Sequence, residues 1–197
     1  MLKALYRAIF DSGMSISPNG LNLGWIVQFY LENFHAEIYG SLYDDGSVQI
    51  IWNAVESHLK FRYVFVAIYI LSVLIMFLNR KKDITSLLKC SLAGYTAYFT
   101  YNTGVHENHL FLAMMLMFLL YLKEPTSNNG YRMIMYTLLF NFNLIILYGI
   151  SGKGTGFSRA INNVFGPTVL VAIFNVIYLT SIVVQLLCEV KAQLRER

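Results

Sequence analysis

Charge is scarce in this chain. Asp, Glu, Lys and Arg make up 13% of its 197 residues, about half the share of an ordinary soluble domain. The positives that exist are scattered, and the aromatics alternate with aliphatics rather than with Lys and Arg. That pattern argues against a nucleic-acid partner. Cysteine is limited to Cys90 and Cys188, both in apolar stretches and far apart, so neither a disulfide framework nor a zinc knuckle is expected. The first residues hold no continuous apolar run, and so no signal peptide is read there. No nucleophile elbow of the G-x-S-x-G kind occurs, and no cysteine stands near a histidine.

What is abundant is hydrophobicity, at 56% of the residues. The composition is that of an integral membrane protein. The expected fold is all-α: a polytopic membrane helix bundle of about five spans plus a short interfacial helix. Phe61–Leu78, Tyr131–Ile150 and Pro167–Val190 are apolar over spanning length. Leu110–Leu122 reaches that length only if its helix begins near Val105. Ile84–Tyr101 is weaker, with Ser, Thr, Gly and Lys89. Small and hydroxyl residues suit helix packing inside a bundle, and Lys89 is expected to snorkel to the interface. Leu21–Phe34 is too short to span and reads as an interfacial helix, with Trp25 and Tyr30 at headgroup depth. Residues 36–60 read as an irregular loop, in which Asp44 and Asp45 mark a turn. The division is an extracytoplasmic segment, 1–60, and a transmembrane bundle, 61–197, forming one domain without internal repeats.

Lys and Arg near the spans set orientation. One side collects Arg80, Lys81, Lys82, Lys123, Arg132, Lys191, Arg195 and Arg197. The other has Lys60, Arg62, Lys153 and Arg159. The C-terminus is therefore expected in the cytosol. Residues 1–60, the segment His106–His109 and the loop 151–166 then share the extracytoplasmic face. The first sixty residues would have to cross without a preceding span. This leads to the expectation of a missing N-terminal half or a partner subunit that supplies earlier spans.

Three polar segments carry chemistry. In "HENH", His106, Glu107, Asn108 and His109 are open to three readings. Zinc needs His at i and i+4 with a third ligand, and the spacing here is i and i+3. A helix start capped by Thr103 or Asn102, with Glu107 complementing the dipole, is a second. An anion site made by a helix N-terminus and imidazoles is the third. "SGKGTGFSRA", residues 151–160, lacks P-loop spacing. It reads as a loop, though Lys153 and Arg159 can hold a phosphate. "SPNGLNLGWIV", residues 17–27, places Asn19, Asn22 and Trp25 at a loop-to-helix junction.

"SPNGLNLGWIV" and "YNTGVHENHLFLAMM" resemble, in that order, two segments of GT-C type polytopic glycosyltransferases that use polyprenyl-phosphate sugars. Among these are the dolichyl-phosphate-glucose enzymes of N-glycan assembly and the GPI mannosyltransferases. The likeness covers residues 10–125. It implies a mannosyl- or glucosyltransferase working at the extracytoplasmic face, with a lipid-linked sugar donor and membrane lipids as partners and no cofactor or metal. It implies that His106 lies at the donor phosphate, with Glu107 and Asn108 orienting the loop or binding hydroxyls. Asn19, Asn22 and Trp25 match the earlier segment. The family's acidic residue, carried in a loop after its first span, has no match here, so no catalytic residue is assigned. The resemblance is to the C-terminal part of such an enzyme. A non-catalytic membrane subunit or scaffold is the rival reading, and a small transporter a third.

Overall fold

A computed structural model describes residues 16–17, 20–39, 55–78, 83–148 and 165–195. Every element among them is helical, which is the all-α class expected. Helix α1 is Leu23–Phe34, α2 is Ala36–Tyr39, α3 is Val55–Leu78 and α4 is Ile84–Tyr101. A 3-10 turn at Glu107–His109 leads into α5, Leu110–Lys123. Helix α6 is Ser127–Tyr148 and α7 is Phe165–Arg195. Pro167 falls in the first turn of α7, where its missing N–H costs no hydrogen bond.

Helix α4 is the centre of the bundle, and this accounts for its weak hydropathy. Eleven of its eighteen residues are buried, and α3, α5 and α7 pack around it. Its hydroxyls therefore meet protein. Thr100 Oγ1 donates to the Thr96 carbonyl at 2.7 Å. Thr96 Oγ1 pairs with the Tyr136 hydroxyl of α6 at 2.6 Å. Asp83 caps the helix by accepting the Ser86 N–H at 2.7 Å, the ordinary use of an aspartate at that position. Around α4 the main apolar cluster gathers Leu92, Phe99, Leu110, Met117, Leu120, Leu179 and Leu186, all fully buried or nearly so.

The outer surface is apolar as well as the core. Leu74 and Phe77 of α3, Phe111 and Leu119 of α5, Ile134 and Leu138 of α6, and Leu170 and Ile177 of α7 are all exposed. Inside lie Lys89, Arg132, Asn143 and Asn175. The stretch Thr168–Ala192 is long and apolar enough to cross a membrane; Arg62–Leu78 and Leu110–Lys123 are apolar but shorter. At 1.5 Å per residue, α5 is roughly 21 Å long. Its expected extension back to Val105 is not helical, because the chain makes a tight turn there.

Three further expectations change. Trp25 is buried, at 3% exposure, against Leu21, Val169 and Ala172. Its indole N–H donates to Thr168 Oγ1 at 3.1 Å. On α1 and α2 it is Tyr30, Phe34 and Ile38 that face outward. The loop expected at 36–60 begins with the short helix α2 and gives way to α3 by Val55.

Lys89 does not snorkel. Its side chain is buried, with Nζ 2.9 Å from Glu124 Oε2 and 3.0 Å from Glu189 Oε2. Arg132 reaches the same Glu189 at 2.7 Å and donates to Gln185 Oε1 at 2.7 Å and Asn129 Oδ1 at 3.2 Å. This network joins α4, the α5–α6 connection, α6 and α7 at one end of the bundle. Two cations meet two carboxylates, so the group is formally neutral, and each buried charge has the partner it needs.

Candidate functional site

The opposite end of the bundle carries two of the three segments singled out in the sequence, those around Asn22 and His106. Helix α4 ends at Asn102, whose N–H donates to the Tyr98 carbonyl at 3.1 Å. Gly104 then takes φ 69°, the left-handed region that L side chains rarely adopt. The turn sends the chain through Val105 and His106 into the 3-10 turn and α5. His106 and Asn108 are exposed and His109 is half-buried.

The 3-10 turn ahead of α5 is closed by a histidine, while α5 itself has no side-chain cap hydrogen bond from its N-cap His109. The His106 N–H donates to His109 Nδ1 at 3.0 Å, and the His109 N–H returns to the His106 carbonyl at 3.1 Å. This is the reach of a residue at the third helical position back to the cap, as in a capping box. Neither Thr103 nor Asn102 serves as the cap. Nδ1 accepts, so the His109 ring carries its proton on Nε2 when neutral. Its ring also stands edge-on to Tyr98, with centroids 5.5 Å apart. His109 is thus held by structure, while His106 presents its ring outward.

The structure brings the two resembling segments together. The Gly104 N–H donates to the Ile16 carbonyl at 3.2 Å. Asn22 caps α1 by accepting the Trp25 N–H at 3.3 Å, and its Nδ2 donates to the Phe99 and Asn102 carbonyls at 2.9 and 3.4 Å. Leu21 is held on both sides: its N–H donates to Asn143 Oδ1 at 3.1 Å, and its carbonyl accepts from Asn175 Nδ2 at 3.0 Å. Asn22 therefore serves as a structural bolt between α1 and the end of α4. Gly20 allows the approach: a Cβ there would lie 2.8 Å from the Val105 carbonyl oxygen, which backbone cannot relieve cheaply. Gly20→Ala should cost about 1–3 kcal/mol by overpacking. It should also loosen the 102–109 turn, read as faster amide hydrogen exchange over those residues. Unchanged exchange would mean that the two segments are not clamped through this contact.

Sequence reading missed three contributors here. Arg62, counted only as a charge near the membrane, is 4% exposed and its Nε donates to Thr103 Oγ1 at 3.0 Å. Asn143 and Asn175 are buried amides in the middle of apolar helices. A polar residue inside such a run is the signal that finds them. The backbone at Glu107 belongs to the 3-10 turn. Asn19, Lys153 and Arg159 lie outside the described residues, as do Asp44 and Asp45. Among the described residues no group of three or more His, Cys, Asp or Glu side chains is placed to hold a metal.

A helix N-terminus, the outward imidazole of His106 and the buried guanidinium of Arg62 stand at this end. Four described carboxylates, Asp83, Glu124, Glu189 and Glu37, stand elsewhere: the first three toward the far end of α4 and Glu37 on α2. Comparison with known proteins finds no matching family, no matching curated protein and no matching solved structure.

Proposed function

We propose that this chain is the donor-binding part of a multi-pass membrane glycosyltransferase, and that it holds a polyprenyl-phosphate sugar at the His106 end of the bundle. The observation that carries the reading is the clamp between Ile16–Asn22 and Asn102–His109, two segments about 80 residues apart that both resemble the GT-C enzymes. They meet beside a buried arginine and a helix N-terminus. His106, with Glu107 and Asn108 next to it in sequence, takes the phosphate; Lys153 and Arg159 are further positive charges that the sequence offers for it.

The apolar outer faces of α3, α5, α6 and α7 support a bundle immersed in lipid, with α4 shielded at its centre. The positive-inside bias puts the His106 end outside and the C-terminus in the cytosol. Arg132 is neutralised by Glu189, yet the remaining positives keep the same sign of bias. Glycosyl transfer needs a base for the acceptor hydroxyl. Among the described residues Glu124 and Glu189 are held in ion pairs at the far end, and no catalytic base is assigned.

The test is equilibrium binding of a radiolabelled polyprenyl-phosphate mannose to the purified full chain in detergent. Saturable binding competed by unlabelled polyprenyl phosphate is expected. Absence of binding would favour a membrane scaffold instead.

A further inference from the structure

We infer that Asn102 reads a hydroxyl of the sugar held at this site; this deepens the donor reading above and rests on it. Asn102 is 2% exposed. Its backbone groups are both used, the N–H by the Tyr98 carbonyl and the carbonyl by Asn22 Nδ2. Its side-chain oxygen Oδ1 is buried and no protein group donates to it. A buried acceptor without a donor is costly, and native proteins keep few of them.

A second such atom is on Asn175 of α7. Asn175 donates through Nδ2 to the Leu21 carbonyl, yet its own Oδ1 is buried without a donor. The Asn102 backbone carbonyl and the Asn175 amide nitrogen are tied to adjacent residues, Asn22 and Leu21. Carboxamide oxygens only accept. The missing partner must therefore bring hydrogen donors. The phosphodiester of a lipid-linked sugar is ionised and has no O–H, whereas the sugar ring carries several hydroxyls. The site divides accordingly: the anion goes to the imidazole, guanidinium and helix N-terminus, and the ring hydroxyls go to the carboxamide oxygens. Hydroxyl recognition by a buried acceptor discriminates well, because a ligand lacking the group leaves the oxygen unpaired.

Asn102 is the better residue to test. Asn175 also holds the Leu21 carbonyl, so its removal disturbs the clamp. At Asn102 the contacts that close α4 and hold Asn22 are made by the backbone, in an extended conformation (φ −82°, ψ 155°) that any residue adopts, and its side chain adds one hydrogen bond to the Tyr98 side chain. The experiment compares polyprenyl phosphate with polyprenyl-phosphate mannose, bound to the full chain and to Asn102→Leu. The wild type should prefer the sugar-bearing probe by about five- to tenfold, the worth of one hydrogen bond. Asn102→Leu should lose most of that preference while keeping its affinity for polyprenyl phosphate. A variant that keeps the preference would leave an enclosed water as the donor to Oδ1 and overturn the inference. A wild type that binds both probes equally would overturn the inference alone. A wild type that binds neither would overturn the donor reading itself. If Asn102→Leu does not fold, Asn102→Ala retains the same backbone contacts and gives the same readout.

Discussion

Lys89→Met should destabilise the bundle by about 2–4 kcal/mol. Breaking one side of a buried ion pair strands the other, at about 3–5 kcal/mol for fully enclosed groups. The lower figure applies here because the side chains of Glu124 and Glu189 remain 37% and 33% exposed. Glu189 is also held by Arg132, which limits the loss at that carboxylate. For a chain of this size the effect is a fall in Tm of roughly 4–16 °C, measurable by thermal unfolding in detergent. Replacing Lys89, Glu124, Arg132 and Glu189 together by apolar residues of similar volume should recover most of it, since no charge is then left unpaired. If Lys89→Met alone is neutral, the network contributes nothing that matters to stability. In that case the four elements it joins are held by apolar packing.

His106→Ala and His109→Ala should separate binding from folding. The described contacts of the exposed His106 ring amount to one edge-on approach to His109, with centroids 5.9 Å apart. Its loss should leave stability within about 0.5 kcal/mol. A hydrogen bond to a charged group is worth about 1.5–3 kcal/mol, so affinity for polyprenyl-phosphate mannose should fall about ten- to 150-fold. His109→Ala removes the acceptor for the His106 N–H and should cost about 0.5–2 kcal/mol of stability, as lost caps do. It should weaken binding as well, by releasing the turn that presents His106. His109→Gln should restore the stability, because glutamine at this position reaches back to the same N–H. Unfolding curves and binding isotherms on the three variants decide the matter. Full binding by His106→Ala would leave the segment with a structural role alone.

The helices were legible in the sequence, because apolar runs and turn residues are local signals. Pro167 in the first turn of α7 and the polar break after Tyr101 both mark where helices begin and end. Pairings across the bundle were not legible. Lys89 and Glu189 are a hundred positions apart, and nothing in the period of either helix joins them. Read alone, Lys89 on a weak span suggests snorkelling; with Glu124 and Glu189 beside it, the same residue is an inward anchor. Trp25 misled for a similar reason. A tryptophan near a headgroup boundary suggests the interface, but Thr168 on α7 offers its indole a partner inside. At the candidate site, the residues of "HENH" stood out by composition. Their division of labour depended on a ring nitrogen 3.0 Å from a backbone N–H, which no spacing rule supplies. In the sequence Asn102 reads as a helix cap; its unpaired oxygen becomes visible only once its surroundings are known.

The most direct measurement is photolabelling of the full chain in lipid bilayers, using a polyprenyl-phosphate sugar with a photoreactive group beside the phosphate. Mass spectrometry then locates the labelled peptides. If the His106 end holds the donor, label should concentrate in the peptides spanning 98–109 and 16–25, and His106→Ala should remove most of it. Label spread over the exposed apolar sides of α3 and α6, and insensitive to His106, would contradict a donor site at this end of the bundle.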